Sequence, residues 1–349
     1  MWSSVIGHRR QIERLKAALF SKRLPNAYIF AGPRGVGKRL VADELAFSAV
    51  CTSPLAAGEG ACRRCPSCCR AASGSHPDLA VVMAEVEQER LHGSAVVRKQ
   101  RQRAEEGDPG KKKKPPSEEI KTLQILDLQK RMYLHREEAP LKIAIIDEAE
   151  RMNEYSQNRL LKILEEPPEA THFILVTNMP HRILPTIRSR SARMDFGPLS
   201  DDEISLFLSR DGRMTREEGV RIARLAGGSL GTALAIDPDF VSETLGRFLA
   251  LAGKSSGADI ISTAESWSHA EPHRMRLIFD LLASFYLDCL RVAATGELSR
   301  TIHPEVARFR TDGHRAEKAL AEIDFARRTL DTTANKQLMF EDLLFSLAS

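Results

Sequence analysis

The chain has 349 residues, 42% of them hydrophobic and 28% charged, with a formal net charge of +4. That length allows two or three domains with cores of their own, and the composition is that of a globular protein rather than a disordered or fibrous one. The run Lys111 to Lys114 carries four charges by itself, so the remainder is close to balance and bulk charge makes no case for a nucleic-acid binder. No apolar stretch approaches the roughly 20 residues of a membrane helix, and Met1-Trp2-Ser3-Ser4 lacks the apolar core of a signal peptide. The expected setting is the cytoplasm, without a membrane.

Ile12, Leu15 and Leu19 recur at the spacing of an amphipathic helix, which should end before Leu24-Pro25-Asn26. Ala27 to Ala31 then reads as a strand, followed by Gly32-Pro33-Arg34-Gly35-Val36-Gly37-Lys38-Arg39 and a helical pattern from Leu40. Strand, glycine loop and helix make a phosphate loop: successive N–H groups and a helix N-terminus face a polyphosphate, and Lys38 reaches the β and γ phosphates. One residue departs from that pattern. Where Ser or Thr should hold a magnesium ion there is Arg39, a cation with no lone pair to give a metal. Gly32, Gly35, Gly37, Lys38 and Arg39 are therefore candidate nucleotide contacts, with ATP or ADP bound weakly or not at all and little or no hydrolysis.

Five of the six cysteines fall between Cys51 and Cys69. In a reducing compartment such a cluster reads as metal-binding before it reads as disulfides. Cys51, Cys62, Cys65 and Cys68 are separated by ten, two and two residues, a spacing that suits a closed, structural tetrahedral zinc site. Cys69 is adjacent, so either Cys68 or Cys69 is the fourth ligand, and the regular spacing favours Cys68. Cys289, alone in an apolar helical pattern, reads as a core residue.

Leu79 to Met83 should be a strand, and from about 85 to 119 the sequence turns polar and low in complexity, as a disordered surface insertion would. A helix resumes near Ile120, Leu123, Leu126 and Leu128, and Leu141 to Ile146 reads as a buried parallel strand ending in Asp147-Glu148. In active ATPases such an Asp orients the metal and such a Glu activates water. Leu160 to Leu164 lie on a helix stopped by Pro167-Pro168, and Phe173 to Val176 form a strand with Thr177 at its carboxyl end, placed to sense a γ phosphate. Strands alternating with helices imply a parallel sheet with ligands at the carboxyl ends of its strands. A short helix from Ile183 carries Arg190 at its end, where an arginine is able to reach a neighbouring subunit's γ phosphate. After Leu199 the strand signals stop. Ser200 and Glu203 form a capping box, and the rest of the chain is helical.

Taken together, Ile6-Gly7-His8, the phosphate loop, the four-cysteine module, His76-Pro77-Asp78, Asp147-Glu148-Ala149-Glu150, Leu160 to Pro168 and Ile187-Arg188-Ser189-Arg190 resemble the AAA+ clamp-loader subunits of bacterial DNA polymerase III. The resemblance covers roughly residues 1–235. It implies an AAA+ nucleotide-binding-type domain with a parallel sheet over 1–197, a small helical lid over 198–238 and an all-helical collar over 239–349. It implies a part in a hetero-pentamer, with motor subunits and a delta subunit, that loads a ring-shaped sliding clamp onto primed DNA during replication. Motor subunits of this family carry an arginine at the lid position of Gly231, so Gly231 and Arg39 together favour the non-hydrolysing stator type. On that basis Arg190 is an arginine finger for a neighbour's ATP, although the family's Ser-Arg-Cys is Ser189-Arg190-Ser191 here. Asp147 and Glu148, which many stator chains lack, would be vestigial. The alternatives are an active motor-type ATPase of the same fold and a zinc-containing DNA-binding scaffold that uses Lys111 to Lys114.

Overall fold

The structure, a computed structural model, describes residues 2–53, 60–92, 116–210, 214–254, 256–298, 301–309, 311–330 and 332–348. Two compact units are distinguished, Met1–Leu199 and Ser200–Ser349. Lys111 to Lys114 and the rest of 93–115 lie outside the described residues.

The first unit is built on five strands, β1 (Ala27–Ala31), β2 (Leu79–Val82), β3 (Lys142–Ile146), β4 (Thr171–Thr177) and β5 (Ala192–Asp195). They lie in the order β2-β3-β4-β1-β5, and every adjacent pair is parallel. Side chains alternate between faces along a strand, and here both faces are buried. Tyr28, Phe30, Ile143, Ile145, Ile174 and Val176 enter one core, whereas Ala27, Ile29, Ala31, Ala144, Ile146, Phe173 and Leu175 enter the other. The first core is covered by α1 (Arg9–Phe20) and α2 (Lys38–Val50), through residues such as Ile12, Leu15, Val41 and Leu45, with Ala71 from α3 (Pro66–Ala72). Helices α5 (Thr122–Tyr133), α6 (Glu154–Glu165) and α7 (Pro185–Ser189) cover the second, through Ile125, Leu128, Leu160, Ile163 and Ile187.

Two expectations need correction, and one strand was not anticipated. The polar stretch from about 85 begins as a helix, α4 (Glu85–His92), in which Glu85 is buried and pairs with Lys121 at 2.9 Å. β5 carried no strand signal because only Met194 of its four residues is buried, so it lacks the apolar alternation that marks a strand. On α5 the buried stripe is Ile125, Leu128 and Met132, while Leu123 is exposed.

The second unit is all helical: α8 (Asp201–Ser209), α9 (Arg216–Leu225), α10 (Leu230–Ala235), α11 (Pro238–Lys254), α12 (Gly257–Ser268), α13 (Pro272–Thr295), α14 (Gly313–Thr329) and α15 (Lys336–Ala348). The Ser200–Glu203 capping box is formed as expected. Aromatic rings organise the core, with Phe279 stacked on Phe340 at 5.2 Å and Phe248 edge-on to Phe285 at 5.7 Å. Cys289 is buried in α13.

Candidate functional site

The loop after β1, the acids after β3 and Thr177 at the end of β4 meet at the carboxyl edge of the sheet, because β4 lies between β1 and β3. Two glycines shape the loop for backbone reasons. At Gly32 a Cβ would lie 2.2 Å from the Phe196 carbonyl oxygen, so only glycine lets the chain beyond β5 pass this close. Gly37 has φ +101° and turns the chain into α2. From α1's start, His8 Nε2 bonds to the Val36 carbonyl at 2.7 Å and fixes the far side of the loop.

Lys38 is folded inward. Its ammonium donates to the carbonyls of Gly32 at 2.8 Å and Pro33 at 2.6 Å, and burial lowers its pKa against the opposing pull of Glu150 and Asp147. Arg39 lies along the same edge, with Nε donating to Asp43 Oδ1 and Nη1 to Asp147 Oδ2, both at 2.9 Å. Burial disfavours the guanidinium charge, but the two carboxylates more than restore it and hold Arg39 charged. Asp43 is shifted up by burial, with Arg39 opposing. The carboxylate that would orient a metal thus already has a permanent cation bonded to it, and charge-assisted bonds of this length are the strong kind.

Glu148 is also committed. It sits in left-handed backbone at φ 47°, a conformation that costs on the order of 1–3 kcal/mol and is found where surrounding structure enforces it. Its carboxylate meets Arg151 at 2.6 Å and Arg34 at 3.2 Å. Burial raises its pKa and the two arginines oppose the rise. With two cations already beside it, the carboxylate is poorly disposed to take a third, so the arrangement disfavours metal binding. Thr177 is buried, and its hydroxyl accepts from the Met179 N–H at 3.1 Å.

Arg190 is elsewhere, at the exposed end of α7. One amino group donates to the Thr186 carbonyl and the other pairs with Glu165 Oε1, both at 3.1 Å. Of its neighbours, Arg193 is paired with Asp195 at 2.8 Å, and Arg188 is exposed. The sequence reading named Arg190 but missed Asp43, Arg34, Arg151 and Glu165 as partners. Asp43, four residues beyond Arg39 on one helix face, and Arg151, three beyond Glu148, were the two legible from spacing.

The cysteines form a separate cluster. The sulfurs of Cys51, Cys62, Cys65 and Cys68 are buried and all lie within 4.8 Å of one another. Cys51 and Cys65 sulfurs are 4.0 Å apart and those of Cys62 and Cys68 are 3.9 Å apart. A tetrahedral metal with bonds of about 2.3 Å requires sulfurs about 3.8 Å apart, so this donor set fits such an ion. The N–H groups of Cys62, Cys65 and Cys68 point at the Cys51, Cys62 and Cys65 sulfurs at 3.3 to 3.5 Å, which favours thiolates. Cys69 is exposed, its sulfur near the Arg64 carbonyl, so Cys68 is the fourth member of the cluster. The module is fastened to α2: Arg63 pairs with the buried Glu44 and stacks over Phe47 at 4.0 Å, and Ser67 donates to the Val50 carbonyl at 2.5 Å.

The parallel sheet, the phosphate loop after β1 and the acidic pair after β3 define an AAA+ phosphate-loop domain, followed here by a helical unit. The chain belongs to the family described as DNA polymerase III, delta subunit, whose model matches residues 7–200. The DNA polymerase III subunit delta' of Pseudomonas aeruginosa is 29% identical over 336 residues, covering 93% of this chain and 92% of that protein. Its counterpart in Escherichia coli K12 is 26% identical over 350 residues, covering 97% and 93%. The gamma/tau subunit of Mycobacterium tuberculosis H37Rv is 30% identical over 244 residues, covering 67% of this chain and only 36% of that protein. Likeness along the whole length therefore lies with these two delta' subunits. Among the described residues no helix is long and apolar enough to cross a membrane.

Proposed function

We propose that this chain is the stator of a cytoplasmic clamp loader, which opens a sliding clamp and closes it on primed DNA during replication. Its neighbours would be ATP-hydrolysing motor subunits and a delta subunit, in a hetero-pentamer held together by collar domains. The observation that carries this reading is Arg39 bonded to both Asp43 and Asp147. Hydrolysis needs a divalent ion bridging the β and γ phosphates, and the carboxylate that would orient it is already neutralised by a fixed cation. The whole-length match to delta' proteins supports the same choice over a motor subunit.

In this reading Arg190 stabilises transition-state charge on the adjacent subunit's ATP, and zinc occupies the four-cysteine site as a structural ion. The isolated chain, given magnesium and ATP, is expected to show no turnover above background. Robust steady-state hydrolysis would overturn the stator assignment and favour the motor-type alternative.

A further inference from the structure

The run Leu160 to Pro168 marks the chain as a relative of its family, yet packing explains only its apolar residues. Leu160, Ile163 and Leu164 are buried beneath the sheet, whereas Glu165 is exposed. We infer that Glu165 is a positioning residue for Arg190, setting the plane of its guanidinium toward a neighbouring subunit's γ phosphate. This rests on the stator reading, in which Arg190 acts in trans.

The geometry is specific. Glu165 is the last residue of α6, where Glu166 leaves helical geometry and Pro167 and Pro168 bar continuation. That stop places the carboxylate beside the end of α7, where Arg190 is the residue that closes the helix. Nη2 of Arg190 meets Glu165 Oε1 and Nη1 donates to the Thr186 carbonyl, each at 3.1 Å. Two contacts to different amino groups define the plane of a rigid fork, where one contact would leave it free to turn. The guanidinium has five N–H donors, so one hydrogen bond and one ion pair leave others for an anion. Among the described residues Arg188 makes no comparable contact, and Arg193 is held by Asp195 two residues away on its own strand. Arg190 alone of the three is held by a residue from another helix.

A pre-placed arginine lowers the barrier because its orientation is fixed before charge develops, and small displacements of such a group cost much of its effect. Arg190 would meet charge that grows on the γ phosphate in the transition state. Loss of Glu165 should therefore lower kcat and leave the KM for ATP unchanged. A carboxylate that merely stabilised the fold would change neither.

The test uses the complete loader, reconstituted with this chain and its own ATPase subunits, and follows clamp- and DNA-stimulated ATP hydrolysis. Arg190→Ala should lower turnover by at least about tenfold, as trans arginines do. Glu165→Gln should lower kcat by about three- to tenfold at unchanged KM, with assembly and melting temperature intact, and Glu165→Asp should recover part of the loss. In the Arg190→Ala background Glu165→Gln should have no further effect, because the two residues act as one unit. If Arg190→Ala slows the loader but Glu165→Gln leaves kcat unchanged or raises it, or if their effects add, the positioning role is wrong while the stator reading stands. If Arg190→Ala has no effect, both fall.

Discussion

A guanidinium at position 39 changes what its neighbours are able to do. Asp147 follows β3 at the place where a metal-orienting acid belongs, but its side chain accepts from Arg39 at 2.9 Å. Arg39→Thr should restore a hydroxyl ligand beside a freed Asp147 and make nucleotide binding magnesium-dependent. In a fluorescent-nucleotide titration the variant should bind at least about tenfold more tightly with magnesium than with chelator, a difference of about 1.4 kcal/mol. Equal affinity in both conditions would show that Arg39 is not what closes the metal position. That Arg39 lacks a lone pair was legible in the sequence, since it follows from residue type alone. Its grip on Asp147 was not, because the two are 108 positions apart and meet only through the strand order. Arg34, on the loop after β1, was hidden from Glu148 for the same reason, whereas Arg151 lies only three positions beyond Glu148.

At the scale of elements, the buried strands announced themselves. β1 is a continuous apolar run and β3 is one after Lys142, both buried on both faces, and the prolines after α6 gave its end. What stayed hidden was the edge: β5 exposes three of its four residues, and so carries little apolar signal even though it pairs with β1 throughout. The cysteine module was legible as a cluster but ambiguous at its fourth member. In the fold Cys68 turns its sulfur inward and Cys69 outward on the short helix α3. Cys68→Ser should therefore abolish zinc retention while Cys69→Ser keeps about one zinc per chain by elemental analysis, and the reverse pattern would refute the assignment. Because Arg63 and Ser67 fasten this module to α2, stripping the metal should lower the melting temperature by about 2 to 8 °C, the shift that 1–2 kcal/mol produces in a unit of this size. No shift would show that the thiols are structurally idle.

Across the whole molecule, both units bury neutral histidines. His76 and His172 in the first unit are shifted down by burial. In the second, His303 is fully buried against Ser284, and burial, reinforced by Arg221, pushes its pKa down to about 4. The unfolded chain takes up a proton near pH 6.5 that the folded chain refuses until about pH 4, so this stability is complete above about 6.5 and is lost as pH falls. By pH 5 the loss from His303 should be on the order of 2 kcal/mol. Urea midpoints should fall between pH 7 and pH 5, and His303→Gln should flatten that fall for the second unit. A pH-independent midpoint would contradict the burial account.

The same scale holds the functional claim, that this chain serves ATP chemistry at a neighbour's site and not at its own. The most direct measurement compares two loaders, one carrying Arg190→Ala and one carrying Lys38→Met, by their clamp-stimulated ATP turnover. The account predicts a loss of at least about tenfold for Arg190→Ala and turnover indistinguishable from the natural loader for Lys38→Met. A loader slowed by Lys38→Met and untouched by Arg190→Ala would contradict it.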